Sequence, residues 1–190
     1  MRFYHGSKVP DIEVLKPSIS NHGKPWVYLT SRRANTLVYL SNAVEKFHRE
    51  QKIEHKGKFY TWASYGFNKE GILVIEEYYP QATEETYKGE GGFIYCVDSV
   101  QNYSKQEDIP FAFISEQPVA VTSFEYISDV YEEMLRLEQL GEIIIKRYEA
   151  HSKEKLEWIE KVIQEDFMQH QDRQDYITFL KGKFKFLNKG

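Results

Sequence analysis

Phe3-Tyr4-His5-Gly6-Ser7 forms the first strand-like segment of this 190-residue chain. Aromatic residues typical of a strand lead into a histidine, which can donate or accept hydrogen bonds near neutral pH. A glycine follows, and its missing side chain lets a ligand approach the backbone. A strand that ends in this way can form one edge of a binding site. It can also be an ordinary strand end, since Gly-Ser is common in turns.

The bulk composition sets the class of protein before any motif is considered. The length fits one domain, and 29 acidic against 25 basic residues leave no overall positive field that would attract a nucleic acid. The single cysteine, Cys96, excludes an internal disulfide and fits a reducing compartment. We find neither a signal-peptide pattern at the start nor an apolar run of membrane-spanning length. The sequence therefore predicts a cytoplasmic protein that does not interact with membranes.

The hydrophobic pattern divides the chain into a strand-rich part and a helical part. Residues 1–125 are predicted to form a β-rich core with one early helix, which begins at Thr30 or Ser31 and ends around Phe47. Residues 126–190 are predicted to form a mainly helical extension packed on that core. The strands predicted in the first part are Phe3–Ser7, Trp26–Thr30, Phe59–Ala63, Gly71–Tyr79, Phe93–Val97, Phe111–Ser115 and Pro118–Thr122.

Local signals place the ends of the helices in the second part. Asp129 and Glu132 have capping-box spacing, and Gly141 is placed to end the same helix. Ser152 precedes an amphipathic segment, and a last short helix is predicted around residues 176–180. The pattern of residues 142–148 fits either a continuing helix or a strand.

The sequence lacks the motifs that are typical of most hydrolases and of zinc-dependent enzymes. Six histidines are scattered without a His-x-x-x-His pair on a helix and without a cysteine partner. A Gly-x-Ser-x-Gly nucleophile elbow is also missing. We therefore predict no metal site.

One ordered set of residues resembles a known family. His5 and Gly6 end the first strand, Tyr28 lies in the strand segment Val27-Tyr28-Leu29-Thr30, and Thr36 and Tyr39 follow Tyr28 by eight and eleven places. This order resembles the ADP-ribosyltransferase superfamily of the poly(ADP-ribose) polymerase type. The segment also looks like the small bacterial rifampin ADP-ribosyltransferases. The resemblance covers about residues 2–122.

The resemblance implies an α+β fold with a split antiparallel β core, and NAD as a substrate. It implies that His5 binds a ribose hydroxyl, that Gly6 offers its backbone to the nicotinamide carboxamide, and that Thr36 binds the same amide. Tyr28 and Tyr39 would sandwich the nicotinamide ring, and Ser7 would also contact NAD. The acceptor of the ADP-ribose, whether a small molecule, a protein or a nucleic acid, stays open.

The resemblance also implies an acidic residue near the start of a late strand. Glu116 is the predicted residue, with Asp108 and Glu107 as the alternatives. Two other functions stay open at this point. One is a non-catalytic module of the same fold that binds a nucleotide or a protein. The other is the related transfer of an RNA 2′-phosphate to NAD, for which Arg32 and Arg33 are the nearby cations.

Overall fold

A computed structural model describes residues 1–19, 23–54 and 64–188, and these show an α+β fold with antiparallel sheets. The predicted strand Phe59–Ala63 lies outside the described residues. The strands are β1 (Phe3–Ser7), β2 (Val14–Leu15), β3 (Ser18–Ile19), β4 (Pro25–Thr30), β5 (Ser64–Phe67), β6 (Leu73–Glu76), β7 (Gly92–Val97), β8 (Tyr103–Lys105), β9 (Ala112–Ser115), β10 (Val119–Ala120), β11 (Ser123–Ile127) and β12 (Ile143–Lys146). The α-helices are α1 (Ala43–Gln51), α2 (Ala82–Tyr87), α3 (Val130–Gln139), α4 (Lys153–Gln169) and α5 (Gln174–Lys183), and 3-10 helices cover Arg33–Tyr39, Tyr148–Ala150 and Lys185–Asn188.

The largest sheet has seven strands and places β1 near its centre. Its order is β11-β7-β1-β4-β9-β8, and β3 also pairs with β4. All of these neighbours run antiparallel. Two smaller sheets have the orders β10-β2 and β12-β6-β5.

The two faces of the large sheet differ because successive side chains on a strand point to opposite sides. On one side, which we call the core face, Phe3, Val27, Leu29 and Val97 are buried together with Leu15 and Val119. Burying one such side chain contributes about 1.5–3 kcal/mol. The opposite side carries Gly6 and contacts the Arg33–Tyr39 helix, so we call it the helix face.

The chain forms two compact units, each of which is discontinuous in sequence. The first unit comprises residues 1–41, 66–73 and 87–144, and the second comprises residues 42–65, 74–86 and 145–190. These units partition the chain differently from the predicted boundary at residue 125. The core of the second unit is built by buried residues of four helices, among them Val44, Ala82, Ile163 and Phe179.

The prediction of one early helix is wrong. The structure has a 3-10 helix at Arg33–Tyr39 and a separate helix α1 that begins at Ala43. Asn42 separates them, because its backbone is extended at φ −138° and its side chain accepts hydrogen bonds from the N–H groups of Val44 and Glu45. A cap of this kind starts a new helix and cannot lie inside one.

Two further elements go beyond what the sequence pattern predicts. Helix α2 lies in a stretch whose sequence indicates only a polar connection, and the buried Glu77 carboxylate accepts a hydrogen bond from the N–H of Thr83 at 3.0 Å. Residues 143–146, which the pattern left open, form strand β12.

The predicted helix ends of the second half are confirmed. Asp129 caps α3, Gly141 follows that helix at φ +73°, and Ser152 caps α4. The short helix predicted around residues 176–180 lies within α5. These signals are local, so the sequence is sufficient to place them.

We expect Asp129→Ala to lower the free energy of unfolding by about 1–2 kcal/mol, because it removes a helix cap. Its carboxylate accepts hydrogen bonds from the N–H groups of Tyr131 at 2.9 Å and of Gly89 at 2.9 Å. Urea denaturation of the variant, of Asp129→Asn and of the exposed control Asp172→Ala measures the effect. Equal stability of Asp129→Ala and Asp172→Ala would contradict it.

Candidate functional site

The pairing of β1 changes along its length. Every residue of β1 from Phe3 to Ser7 is paired with a residue of β7. With β4, by contrast, Tyr4 and Thr30 form the single pair, and all residues of both strands are described. Beyond Tyr4, the edge of β1 that faces β4 therefore leaves the ladder. We call this opening, bordered by residues 5–7 of β1 and by the middle of β4, the β1–β4 gap.

His5 reaches into the β1–β4 gap. Its Nδ1 lies 2.8 Å from the carbonyl oxygen of Tyr28, which can only accept, so Nδ1 carries the hydrogen. Burial lowers the pKa of His5, and this outweighs the hydrogen bond to Tyr28, which acts in the opposite direction. The imidazole is therefore neutral near pH 7, and its Nε2 is an acceptor.

Gly6 is required by the Arg33–Tyr39 helix. A Cβ built on Gly6 would lie 2.6 Å from the backbone oxygen of Thr36 and 3.2 Å from its Cβ. The sequence predicts that the missing side chain admits a ligand, but on the helix face the space is occupied by Thr36. Glycine therefore allows the helix to pack directly on β1.

Three residues of the Arg33–Tyr39 helix, Arg33, Thr36 and Tyr39, are spaced by three. Side chains at this spacing eclipse one another in a 3-10 helix, so the three form one stripe. Thr36 is buried, and its hydroxyl donates to the carbonyl oxygen of Arg33 at 2.7 Å, which leaves its oxygen able to accept. Tyr39 is 60 % exposed at the end of the helix.

Tyr28 projects from the helix face. Tyr28 and Thr30 share one face of β4, Thr30 pairs with Tyr4, and Tyr4 shares a face of β1 with Gly6. His5, between Tyr4 and Gly6, projects from the opposite face. Its ring is partly buried and makes an edge contact with Trp26, with the ring centroids 6.1 Å apart. Tyr28 and Thr36 therefore lie on the same side of the sheet.

The remaining predicted residues lie around this arrangement. Ser7 ends β1, and its hydroxyl accepts a hydrogen bond from the N–H of Val9 at 3.1 Å, within a local turn. Glu116 is exposed in the turn after β9, a strand that β4 separates from β1. Glu107 and Asp108 are exposed in the loop between β8 and β9, at the other end of β9.

Glu125 is a carboxylate that the sequence reasoning missed. It lies on β11 and is paired with Ile94 of β7, which is paired in turn with Gly6. Residues paired in this way share a face, so Glu125 lies on the helix face, about 10 Å across two strand spacings from Gly6. The alternation of Phe124, Glu125 and Tyr126 within a strand could have indicated it.

Arg33 connects this carboxylate to the helix stripe. Its Nη2 and Nε lie 2.8 Å from the two oxygens of Glu125, a bidentate pair. Its Nη1 donates to Glu133 of α3 at 2.6 Å. The pKa of Arg33 is raised, chiefly by the hydrogen bond to Glu125. Arg33 and Thr36 thus attach one helix to two strands of the sheet.

The described residues show neither a metal-binding cluster nor a membrane-spanning helix, and a cavity beside the Glu116 turn lies away from the β1–β4 gap. In the described ranges, no cluster of histidine, cysteine and acidic side chains could hold a metal ion. None of the helices in that part of the chain has the length and apolar content needed to cross a bilayer. A cavity of about 400 Å³ is lined by residues 99–102 and 117–120, beside the Glu116 turn, and no residue of the β1–β4 gap lines it.

Comparisons of the chain with known protein families, with curated proteins and with solved structures find no match. The function of the chain is therefore inferred from the geometry of the first unit.

We expect Gly6→Ala to destabilise the fold by about 1–3 kcal/mol, because the new methyl group would overlap Thr36 and force the helix away from β1. Gly66→Ala is the control, since a Cβ there meets nothing within 4 Å. Urea denaturation of both variants measures the difference. Equal stability of the two variants would show that the space between Gly6 and Thr36 can accommodate a methyl group.

The lowered pKa of His5 predicts a dependence of stability on pH. Below the ordinary histidine pKa of about 6.5 the unfolded chain binds a proton that the folded chain resists, so stability falls as the pH drops from about 7 toward 5. His5→Asn supplies an amide donor that does not titrate. Unfolding at pH 7.5 and 5.5 should show a smaller loss for this variant than for the wild type, and equal losses would contradict the assignment.

Proposed function

We propose that the chain is an NAD-dependent ADP-ribosyltransferase with an ADP-ribosyltransferase-like core. The observation that carries the proposal is the double contact between residues 5–6 and residues 28–36. His5 bonds to Tyr28 at 2.8 Å, while Gly6 packs against Thr36. Residues more than twenty positions apart in sequence thus come together around β1, His5 with Tyr28 at the β1–β4 gap and Gly6 with Thr36 on the helix face. All four belong to the ordered set on which the family resemblance rests.

The reaction breaks the glycosidic bond between C1′ of the ribose and the nicotinamide nitrogen. The bonding electron pair leaves with nicotinamide, which becomes neutral, and the ribose develops oxocarbenium character. A nucleophile of the acceptor attacks C1′ and loses its proton. Catalysis then consists of holding the amide and the ribose while stabilising the developing positive charge.

The residues at the β1–β4 gap and those on the Arg33–Tyr39 helix suit the first of these tasks. The backbone edge of Gly6 can meet the carboxamide in the gap, and the oxygen of Thr36 can accept from the same amide. The rings of Tyr28 and Tyr39 can stack on the nicotinamide, with about 0.5–1.5 kcal/mol for each aromatic contact beyond area burial. Because Tyr39 is largely exposed, it can take up a ligand ring without leaving a core.

His5 suits the binding of a ribose hydroxyl. Since its Nδ1 hydrogen is used by the Tyr28 carbonyl, Nε2 is the acceptor for such a hydroxyl. A neutral imidazole does not oppose the positive charge that develops on the ribose. The bond to Tyr28 also fixes the ring plane, as a positioned catalytic group requires.

Glu125 is a better candidate than Glu116 for the carboxylate that stabilises this charge. Glu125 shares the helix face with Gly6 and is bonded to the helix that carries Thr36 and Tyr39. Glu116 lies beyond the end of β9, exposed in its turn. The Glu116 assignment stays a prediction, and the experiment below separates the two.

The transfer of an RNA 2′-phosphate is disfavoured because the two candidate phosphate-binding residues, Arg32 and Arg33, already have partners in the structure. The guanidinium of Arg32 lies 3.9 Å from the ring centre of Phe111, and its Nη1 donates to the carbonyl of Gly71. Arg33 is paired with two carboxylates. A phosphate would have to displace these partners, including two like charges.

The test is the release of nicotinamide from NAD by the purified protein, with water as the acceptor, together with calorimetry of NAD binding. We expect Glu125→Gln to lower turnover by about 100-fold or more, as for the loss of one electrostatic stabiliser, while NAD still binds. Glu116→Gln, the matched variant, should keep wild-type turnover.

The other outcomes are equally informative. If Glu116→Gln abolishes turnover and Glu125→Gln does not, the carboxylate is Glu116. If NAD binds but neither the wild type nor any variant releases nicotinamide, with and without candidate acceptors, the protein is a binding module. If a folded protein does not bind NAD at millimolar concentration, the proposed function is wrong.

A further inference from the structure

We infer that Arg33 is a positioning residue that holds the Glu125 carboxylate in its working orientation. The inference rests on the proposed function, and it assigns to Arg33 a role that neither the sequence pattern nor the family resemblance implies. Its basis is a chain of four alternating charges that runs from β11 to α3.

The first link is the pair of Arg33 and Glu125. Two parallel N–H···O contacts of 2.8 Å join the guanidinium fork to both carboxylate oxygens, so the two groups share a plane. The side chain of Glu125 is 48 % exposed, and that of Arg33 is 24 % exposed. Without the fork, a carboxylate this exposed would sample several rotamers.

The second link fixes the guanidinium itself. Glu133 accepts from Nη1 of Arg33 at 2.6 Å, and it also accepts from Nε and Nη2 of Arg136 at 2.7 and 2.8 Å. The pKa of Glu133 is lowered, first by the hydrogen bond from Arg136 and then by that from Arg33. Glu133 therefore stays ionised near neutral pH, and it holds Arg33 through Nη1, the nitrogen that Glu125 does not use.

The orientation matters because a bidentate carboxylate still has lone pairs to offer. A carboxylate has about four acceptor positions, of which Arg33 uses two, so a ribose hydroxyl can bind beside the guanidinium. Arg33 also belongs to the helix stripe with Thr36 and Tyr39. One short helix thus sets both the amide-binding side chains and the carboxylate, and their separation is fixed by its backbone.

This role predicts a specific kinetic signature. Arg33→Ala should lower kcat for nicotinamide release by about 30–100-fold, because misplacement of a catalytic group by about 1 Å can have an effect of this size. The KM for NAD should stay within about 2-fold, since Arg33 acts through Glu125. Added guanidinium chloride at millimolar concentration should restore part of kcat in Arg33→Ala, and it should not change the wild type.

Two further variants and a control complete the experiment. Arg33→Lys keeps the charge but loses the fork, so its kcat should remain clearly below the wild type. Glu133→Gln leaves the pair with Glu125 intact and removes the negative charge of the second link, so a smaller loss of kcat is expected. Arg2→Ala breaks an exposed bond of 2.7 Å to Asp98 and should leave kcat unchanged. Thermal denaturation of every variant reports its folding.

The outcomes separate this inference from the proposed function. If the wild type releases nicotinamide from NAD and folded Arg33→Ala has the same kcat, the role of Arg33 is overturned and the proposed function stands. A raised KM with unchanged kcat would also overturn it, because Arg33 would then bind NAD directly. If Arg33→Ala does not fold, an unchanged kcat in both Arg33→Lys and Glu133→Gln overturns the inference. If the wild type neither binds nor consumes NAD, both proposals fail.

Discussion

The close approach of the Arg33–Tyr39 helix to Gly6 is the contact on which the rest of the site depends. It is possible only without a side chain at Gly6, because the Thr36 backbone oxygen lies where a Cβ would be crowded. The contact holds Thr36 against Gly6 of β1, and the same helix carries Arg33, which reaches Glu125. Replacing the glycine would move three side chains at once, since the short helix is rigid between them.

The sheet opens beside β1, next to the glycine on which that helix packs. At Tyr4 and Thr30 the backbones of β1 and β4 pair with each other. Beyond Tyr4 this pairing ends, and the side chain of His5 bonds to the Tyr28 carbonyl instead. The site therefore combines a neutral, oriented imidazole with a strand edge that has left its ladder. On the helix face, opposite to the face from which the His5 side chain projects, alternating charges from Glu125 to Arg136 balance one another, so that face carries a carboxylate without a net local charge.

The features that the sequence predicts correctly are those with a local cause. The caps Asp129 and Ser152 bond to their own helices within three residues, so their side chains and spacing suffice. The single early helix was wrong because Asn42 also has a local role, as a cap, and the apolar spacing across it concealed the break. Helix α2 was missed because the carboxylate that bonds to its first turn, that of Glu77, lies six residues before Thr83, which is outside the usual spacing of a helix cap.

The sequence by itself determined the α+β class, the caps of the later helices and the ordered set His5, Gly6, Tyr28, Thr36 and Tyr39, since each of these depends on residue type and spacing along the chain. Only the tertiary structure decided which of these residues meet and which carboxylate shares their face. Glu116 and Glu125 are both acidic residues near late strands, and residue type alone does not tell which of them shares a face with Gly6. The register of β11 on β7 and of β7 on β1 distinguishes the two carboxylates, because it places Glu125 in line with Gly6. Pairing between strands is a property of the folded sheet, so the sequence alone could not supply this register.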